Sequence, residues 1–186
     1  PAVLREEMEW DREQDPVNAA HVWDGGYEII SEGSYYARLI AEAESEGRVG
    51  FFPHDPALPV KTAWDIGVAD YTAVWFLQEN GHEVRVIDYH ETSGEGPEQV
   101  IHDALPEYLP DPDEMASAMA LRGRTAPYRY DMHYLPHDAA VREWGAGGRS
   151  RIQTMVGLGM KSSTLKVGVA TDPADRINAV RRILPA

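Results

Sequence analysis

From residue 60 onward, apolar and polar positions alternate with a period of two over VKTAWDIG (60–67), YTAVWFLQ (71–78) and HEVRVIDYHE (82–91). Alternation in segments rich in β-branched and aromatic residues predicts three consecutive strands. The Asn80-Gly81 pair between the last two marks a tight hairpin. Within the third strand, a strict period places Val84, Val86 and Asp88 opposite Arg85, Ile87 and Tyr89. MHYLPH (132–137) and TLKVGVA (164–170) predict strands four and five. Helical spacing is predicted over 97–109, with its end disturbed by Pro106, over a short stretch at 139–144, and over 149–157. Residues 110–127 read as loop with a short helix. TDPADRINAVRRILP (171–185) opens a closing helix with an Asp cap and a Pro in its first turn. This order of elements predicts an α/β domain built on a mixed five-stranded sheet.

The first 59 residues follow a different pattern and read as a helical linker or hinge, leaving 60–186 as the main domain. Residues 1–24 are acidic and helical, broken at Pro16, with Trp10, Val17, Ala20 and Trp23 as contact residues. Gly25 and Gly26 interrupt, and a second helix over 32–47, opened by a serine, places Tyr36, Leu39, Ile40 and Ala43 on one face. Gly47 stops it, and RVGFFPHDPALPV (48–60), with three prolines, is an extended crossing. The chain opens on Pro rather than Met, as a piece of a longer protein would.

Composition narrows the chemistry. The 186 residues include no cysteine, which excludes disulfides, zinc–thiolate sites and a Cys nucleophile. Any metal must be held by oxygen or imidazole, and carboxylate oxygens favour Mg²⁺, Mn²⁺ or Ca²⁺. No apolar run reaches the ~20 residues of a membrane span, and the acidic N-terminal stretch is unlike a signal peptide. The formal net charge of -14 opposes general adhesion to nucleic acid, but the charge is unevenly spread. Residues 1–138 hold nine Lys and Arg against 28 Asp and Glu, whereas 139–186 hold eight against three. The basic C-terminal third is the part suited to a phosphate backbone.

Three acids stand out. Asp65 ends a strand expected inside the sheet, where a carboxylate is costly unless paired or bound to metal. Asp138 follows the fourth strand and Asp175 lies in the first turn of the last helix. Divalent ions held by clustered carboxylates can activate water, neutralise phosphoryl oxygens and stabilise the leaving oxygen of a phosphodiester. Each acid also has a plain structural reading: a turn acid for Asp65, a helix cap for Asp138, a dipole partner for Asp175. Asp70, just beyond the first strand, is a turn acid or a further ligand. Asp88 is either a hydrogen-bonded core acid or an accessory ligand, and His137 could orient a ligand or a phosphate; His90 and His133 are more simply structural. Arg149 and Arg151 in GAGGRSR, with Lys161, are the candidate DNA contacts, since a Gly-rich basic loop can grip phosphates without reading bases. GLGMKSST (157–164) lacks the spacing of a nucleotide-binding P-loop.

These phrases together — TAWDIGVADYTAVWF, YLPHDAAVREWGAGGRSRIQTMVGLG and DRINAVRRIL — resemble the nuclease domain of large terminase subunits from tailed bacteriophages, a branch of the RNase H-like superfamily. The resemblance covers roughly residues 60–184, and residues 20–50 are similar to the segment that joins motor to nuclease in that family. It implies a metal-dependent endonuclease that cuts concatemeric viral DNA when packaging begins and ends. Asp65, Asp138 and Asp175 would be its catalytic ligands, with Asp70 beside them, holding two Mg²⁺ or Mn²⁺ ions. The family often repeats an acid three residues after the third ligand; here that position is Asn178. Implied partners are double-stranded DNA, a portal protein, a small terminase subunit and an upstream ATPase domain of the same polypeptide, in the host cytoplasm on a procapsid. Two other readings use the same residues: another RNase H-like nuclease of resolvase or transposase type, and a non-catalytic portal-docking module with an acidic surface.

Overall fold

A computed structural model of the chain describes residues 2–14, 23, 34–67, 70–142 and 147–185. The chain divides into two compact units, residues 51–170 and residues 1–50 together with 171–186.

The first unit is an α/β fold around a five-stranded mixed sheet. Its strands are β1 (Val60–Asp65), β2 (Tyr71–Asn80), β3 (Glu83–Ser93), β4 (Tyr130–Leu135) and β5 (Leu165–Val167). The spatial order is β3-β2-β1-β4-β5. β1 is antiparallel to β2 and parallel to β4, and β4 is parallel to β5. The β2–β3 hairpin turns at Gly81, whose φ of 64° suits the Asn-Gly signal. One sheet face carries Val60, Trp64, Val74 and Phe76, all buried, in a cluster with Val100, Ile101 and Leu105 from the following helical segment. The other face carries Asp65, Trp75, Tyr89 and Tyr134, which are exposed.

β3 departs from strict alternation. Leu77 pairs with Val86 but Phe76 pairs with Asp88, so Ile87 is an extra residue that forms a bulge. A bulge reverses the facing of everything beyond it. Asp88 is therefore parted from exposed Val84 and Val86 and turned toward two arginines on the covered side.

α3 (Pro97–Ala104) is shorter than the spacing predicts, because the chain leaves the helix at Leu105 and continues as a 3-10 turn over Pro106–Tyr108. Residues 110–127, expected to be mostly loop, contain a ten-residue helix, α4 (Pro112–Leu121). Asp111 caps it, accepting from the amides of Asp113 and Glu114, and Pro112 occupies the first turn. α5 (Arg151–Gly157) begins with a reciprocal capping box between Ser150 and Gln153. β5 is three residues long and stops before Gly168.

The second unit holds α1 (Ala2–Gln14), α2 (Ala37–Ser45) and α6 (Pro173–Ile183). α2 starts at Tyr36 without a side-chain cap. It ends as expected at Gly47, where φ is 71° and the Arg48 amide donates back to the Ala43 carbonyl. Trp10, expected to make contacts, is 62% exposed, and Val17 and Ala20 lie outside the described residues. The Arg181 side chain donates to the Tyr35 carbonyl and that of Arg48 to the Leu184 carbonyl, tying α6 to the N-terminal residues.

Candidate functional site

Parallel neighbours bring two of the expected acids to the same edge of the sheet. Asp65 is the last residue of β1, and Asp138 comes three residues after β4 ends at Leu135. In open α/β sheets the carboxyl ends of strands are where ligands are received. Asp65 is exposed, and no hydrogen bond or ion pair engages its carboxylate among the described residues. Gly67 lies close to the start of β2: a Cβ on it would stand 2.7 Å from the Tyr71 carbonyl oxygen and 2.9 Å from that of Asp70. Thr72 donates from its hydroxyl to the Gly67 carbonyl at 3.1 Å. Asp70 is exposed next to the start of β2.

Asp138 sits in a run of turns over 137–140 rather than at the head of a helix, and it does not act as a cap. Its Oδ2 accepts from Arg151 Nη1 at 2.9 Å, with the Arg151 side chain 18% and that of Asp138 46% exposed. His137 is exposed beside it. Arg149 and Arg151 line one cavity of about 460 Å³, bounded by Trp64, Ile66 and Gly67 at the end of β1, the Gly94–Glu98 turn, and Thr154 and Met155 of α5. Arg149 is exposed and has no partner among the described residues. Lys161 is exposed in the turn after α5 and does not line this cavity.

Asp175 belongs to the other unit, exposed in the first turn of α6. Asp172 caps that helix by accepting from the Ala174 amide at 2.8 Å, and Pro173 follows as the spacing predicts. Among the described residues no group of three or more His, Asp or Glu is gathered to hold an ion. The donors nonetheless fit a hard cation. Mg²⁺ is commonly held by one or two carboxylates, water and the substrate's own phosphates rather than by a complete protein cage. Asp65 and Asp138 are carboxylates of that kind at the carboxyl ends of neighbouring strands.

Asp88 takes the first of its two readings, a hydrogen-bonded core acid. It accepts from Arg122 Nη2 at 2.8 Å and from Arg124 Nη2 at 2.9 Å. Burial alone would raise its pKa, but the two guanidinium groups outweigh that and hold it below the ordinary carboxylate value. Arg124 also reaches Glu107 at 3.2 Å and lies 3.9 Å from the centre of the Tyr128 ring. Its side chain is 3% exposed, so this is a buried structural clamp.

A second network, not anticipated beyond a general structural role for His133, runs beneath the sheet. Trp64 Nε1 donates to Thr62 Oγ1 at 2.7 Å, Thr62 Oγ1 lies 2.7 Å from His133 Nδ1, and His133 Nε2 lies 2.8 Å from the Tyr108 hydroxyl. Trp can only donate, so the arrangement that satisfies each group has Thr62 donating to Nδ1 and Nε2–H donating to Tyr108. Burial lowers the His133 pKa to about 4, keeping the ring neutral. Burial likewise pushes Tyr108 up to about 12. This chain of bonds fixes Trp64, the residue immediately before Asp65.

Compared with models of known protein families and with curated proteins, the chain matches none.

Proposed function

We propose that this chain is a divalent-metal-dependent DNA endonuclease with an RNase H-like arrangement, of the kind that cuts concatemeric DNA in the large terminase subunits of tailed bacteriophages. The observation that carries the reading is the pairing of β1 with β4 in parallel, which sets Asp65 and Asp138 at one edge of the sheet. The basic pair Arg149 and Arg151 beside that edge supports it. Asp65 and Asp138 would hold Mg²⁺ or Mn²⁺, which would supply charge neutralisation and an activated water for phosphodiester hydrolysis. Arg149 and Arg151 hold backbone phosphates, a contact that positions the strand without selecting a sequence. In the full packaging machine this domain works after an ATPase motor and against a portal protein and a small subunit.

The test is plasmid nicking by the 186-residue chain in Mn²⁺ or Mg²⁺. Cleavage is weak, sequence-independent and abolished by EDTA. Asp65→Asn and Asp138→Asn each reduce it about 100-fold or more, and Asp175→Asn asks whether the exposed acid of α6 belongs with them. Unimpaired nicking by Asp65→Asn would sink the assignment. Removing Arg149 lowers DNA affinity and flattens log K against log salt by about 1.

A further inference from the structure

The 460 Å³ cavity lies at the carboxyl end of β1, lined by Trp64, Ile66 and Gly67 on either side of Asp65, which does not itself line it. Its size falls within the ~300–1,000 Å³ of small-ligand pockets. Its floor is apolar, made by Trp64, Ile66, Val100, Ile101 and Met155. Arg149, Arg151, Glu95 and Glu98 also line it. An apolar lining that also offers cations and carboxylate acceptors suits a nucleobase with its phosphate. The base has a flat apolar face and amino or imino donors, and the phosphate takes paired N–H donors from arginine.

Arg151 gives this cavity a consequence for the neighbouring acids. One of its N–H groups is engaged by Asp138 Oδ2, the same carboxylate assigned to the metal. A phosphate has more charge and more acceptor oxygens than a carboxylate, so it competes for that guanidinium. Resting on the nuclease reading for its second half, the assignment is this: we infer that the cavity is a subsite for one unpaired nucleotide of the DNA strand, and that its phosphate draws Arg151 from Asp138 and frees that carboxylate for the cation. Arg151 is then a positioning residue for Asp138. The metal site is complete only when a strand is in place, and nucleotide and cation bind with mutual enhancement.

Calorimetric titration of the full chain with thymidine 5′-monophosphate, thymidine and inorganic phosphate tests the cavity directly. The monophosphate binds about tenfold tighter than either part alone, and Arg149→Ala and Arg151→Ala each weaken it about tenfold while Arg151→Lys restores part of the loss. A monophosphate that binds no better than thymidine, or is indifferent to both alanine variants with melting temperatures intact, overturns the subsite. Mn²⁺ titration, corrected for Mn²⁺ held by the nucleotide in solution, tests the exchange. The monophosphate raises Mn²⁺ affinity about fivefold, and Arg151→Ala binds Mn²⁺ more tightly than the native chain without nucleotide. Equal Mn²⁺ affinity with and without nucleotide overturns the exchange. Asp65→Asn separates the two ideas: it loses Mn²⁺ and keeps the monophosphate. A native chain that takes the monophosphate but never binds Mn²⁺ sinks the nuclease reading and leaves the nucleotide subsite standing.

Discussion

Arg124 shows how much one side chain can carry in this fold. Its guanidinium joins Asp88 on β3, Glu107 in the 3-10 turn and the Ala104 carbonyl at the end of α3, and it stacks on Tyr128. Truncating one member of a buried ion pair leaves the others uncompensated, which costs about 3–5 kcal/mol. Arg124→Ala therefore lowers stability by about that amount, measured by urea denaturation, while Asp88→Asn costs less because the amide keeps the side-chain volume and an acceptor oxygen for the guanidinium groups. Asp65 is the opposite case. Its carboxylate is exposed and unengaged among the described residues, so Asp65→Asn leaves the urea midpoint nearly unchanged even as cleavage is lost. A large drop in the midpoint would assign Asp65 a structural role.

Among the elements, the β1–β2 turn is the one on which the site's geometry depends. Gly67 is hemmed in by the carbonyls of Asp70 and Tyr71, so any side chain there must push the end of β1 and the start of β2 apart. Gly67→Ala is expected to cost about 1–3 kcal/mol and to weaken Mn²⁺ binding, whereas Gly81→Ala, at the distant hairpin, affects stability alone. Equal loss of Mn²⁺ binding in both variants would detach the turn from the site. Local signals made many of these elements legible in advance. Asn80-Gly81 announces the hairpin, and Asp172-Pro173 announces α6. The same Asp-Pro signal opens α4 at Asp111 and Pro112, but the helix it starts has a weakly sided apolar pattern and reads as loop. The bulge at Ile87 is invisible to a rule that counts in twos, which groups Asp88 with Val84 and Val86 where the bulge parts them. Thr62 and His133 meet because β1 and β4 pair, a relation between residues 71 positions apart that no local window contains. The Arg151–Asp138 contact and the cavity are hidden in the same way.

For the molecule as a whole, acid is the condition to which stability should respond. His133 is fully buried, and its pKa falls from 6.5 to about 4 on folding. Between those values the unfolded chain binds a proton that the folded chain refuses, so stability declines as pH falls from 6.5 to about 4. The full effect below that window is on the order of 3 kcal/mol. The depressed pKa of Asp88 acts with the same sign, adding a loss as its carboxylate is protonated. Urea midpoints should therefore fall steadily between pH 7 and 4, and less steeply in His133→Gln, whose amide does not titrate. A flat profile would contradict the buried neutral imidazole.

The division of the chain also has a bearing on the order in which it matures. Residues 51–170 form one unit by themselves, whereas residues 1–50 share theirs with 171–186. During synthesis the five strands can pair while the later helix is still inside the ribosome. Residues 1–50, made before the strands, have to wait for Arg181 and Leu184 to emerge before their own carbonyl and guanidinium partners exist.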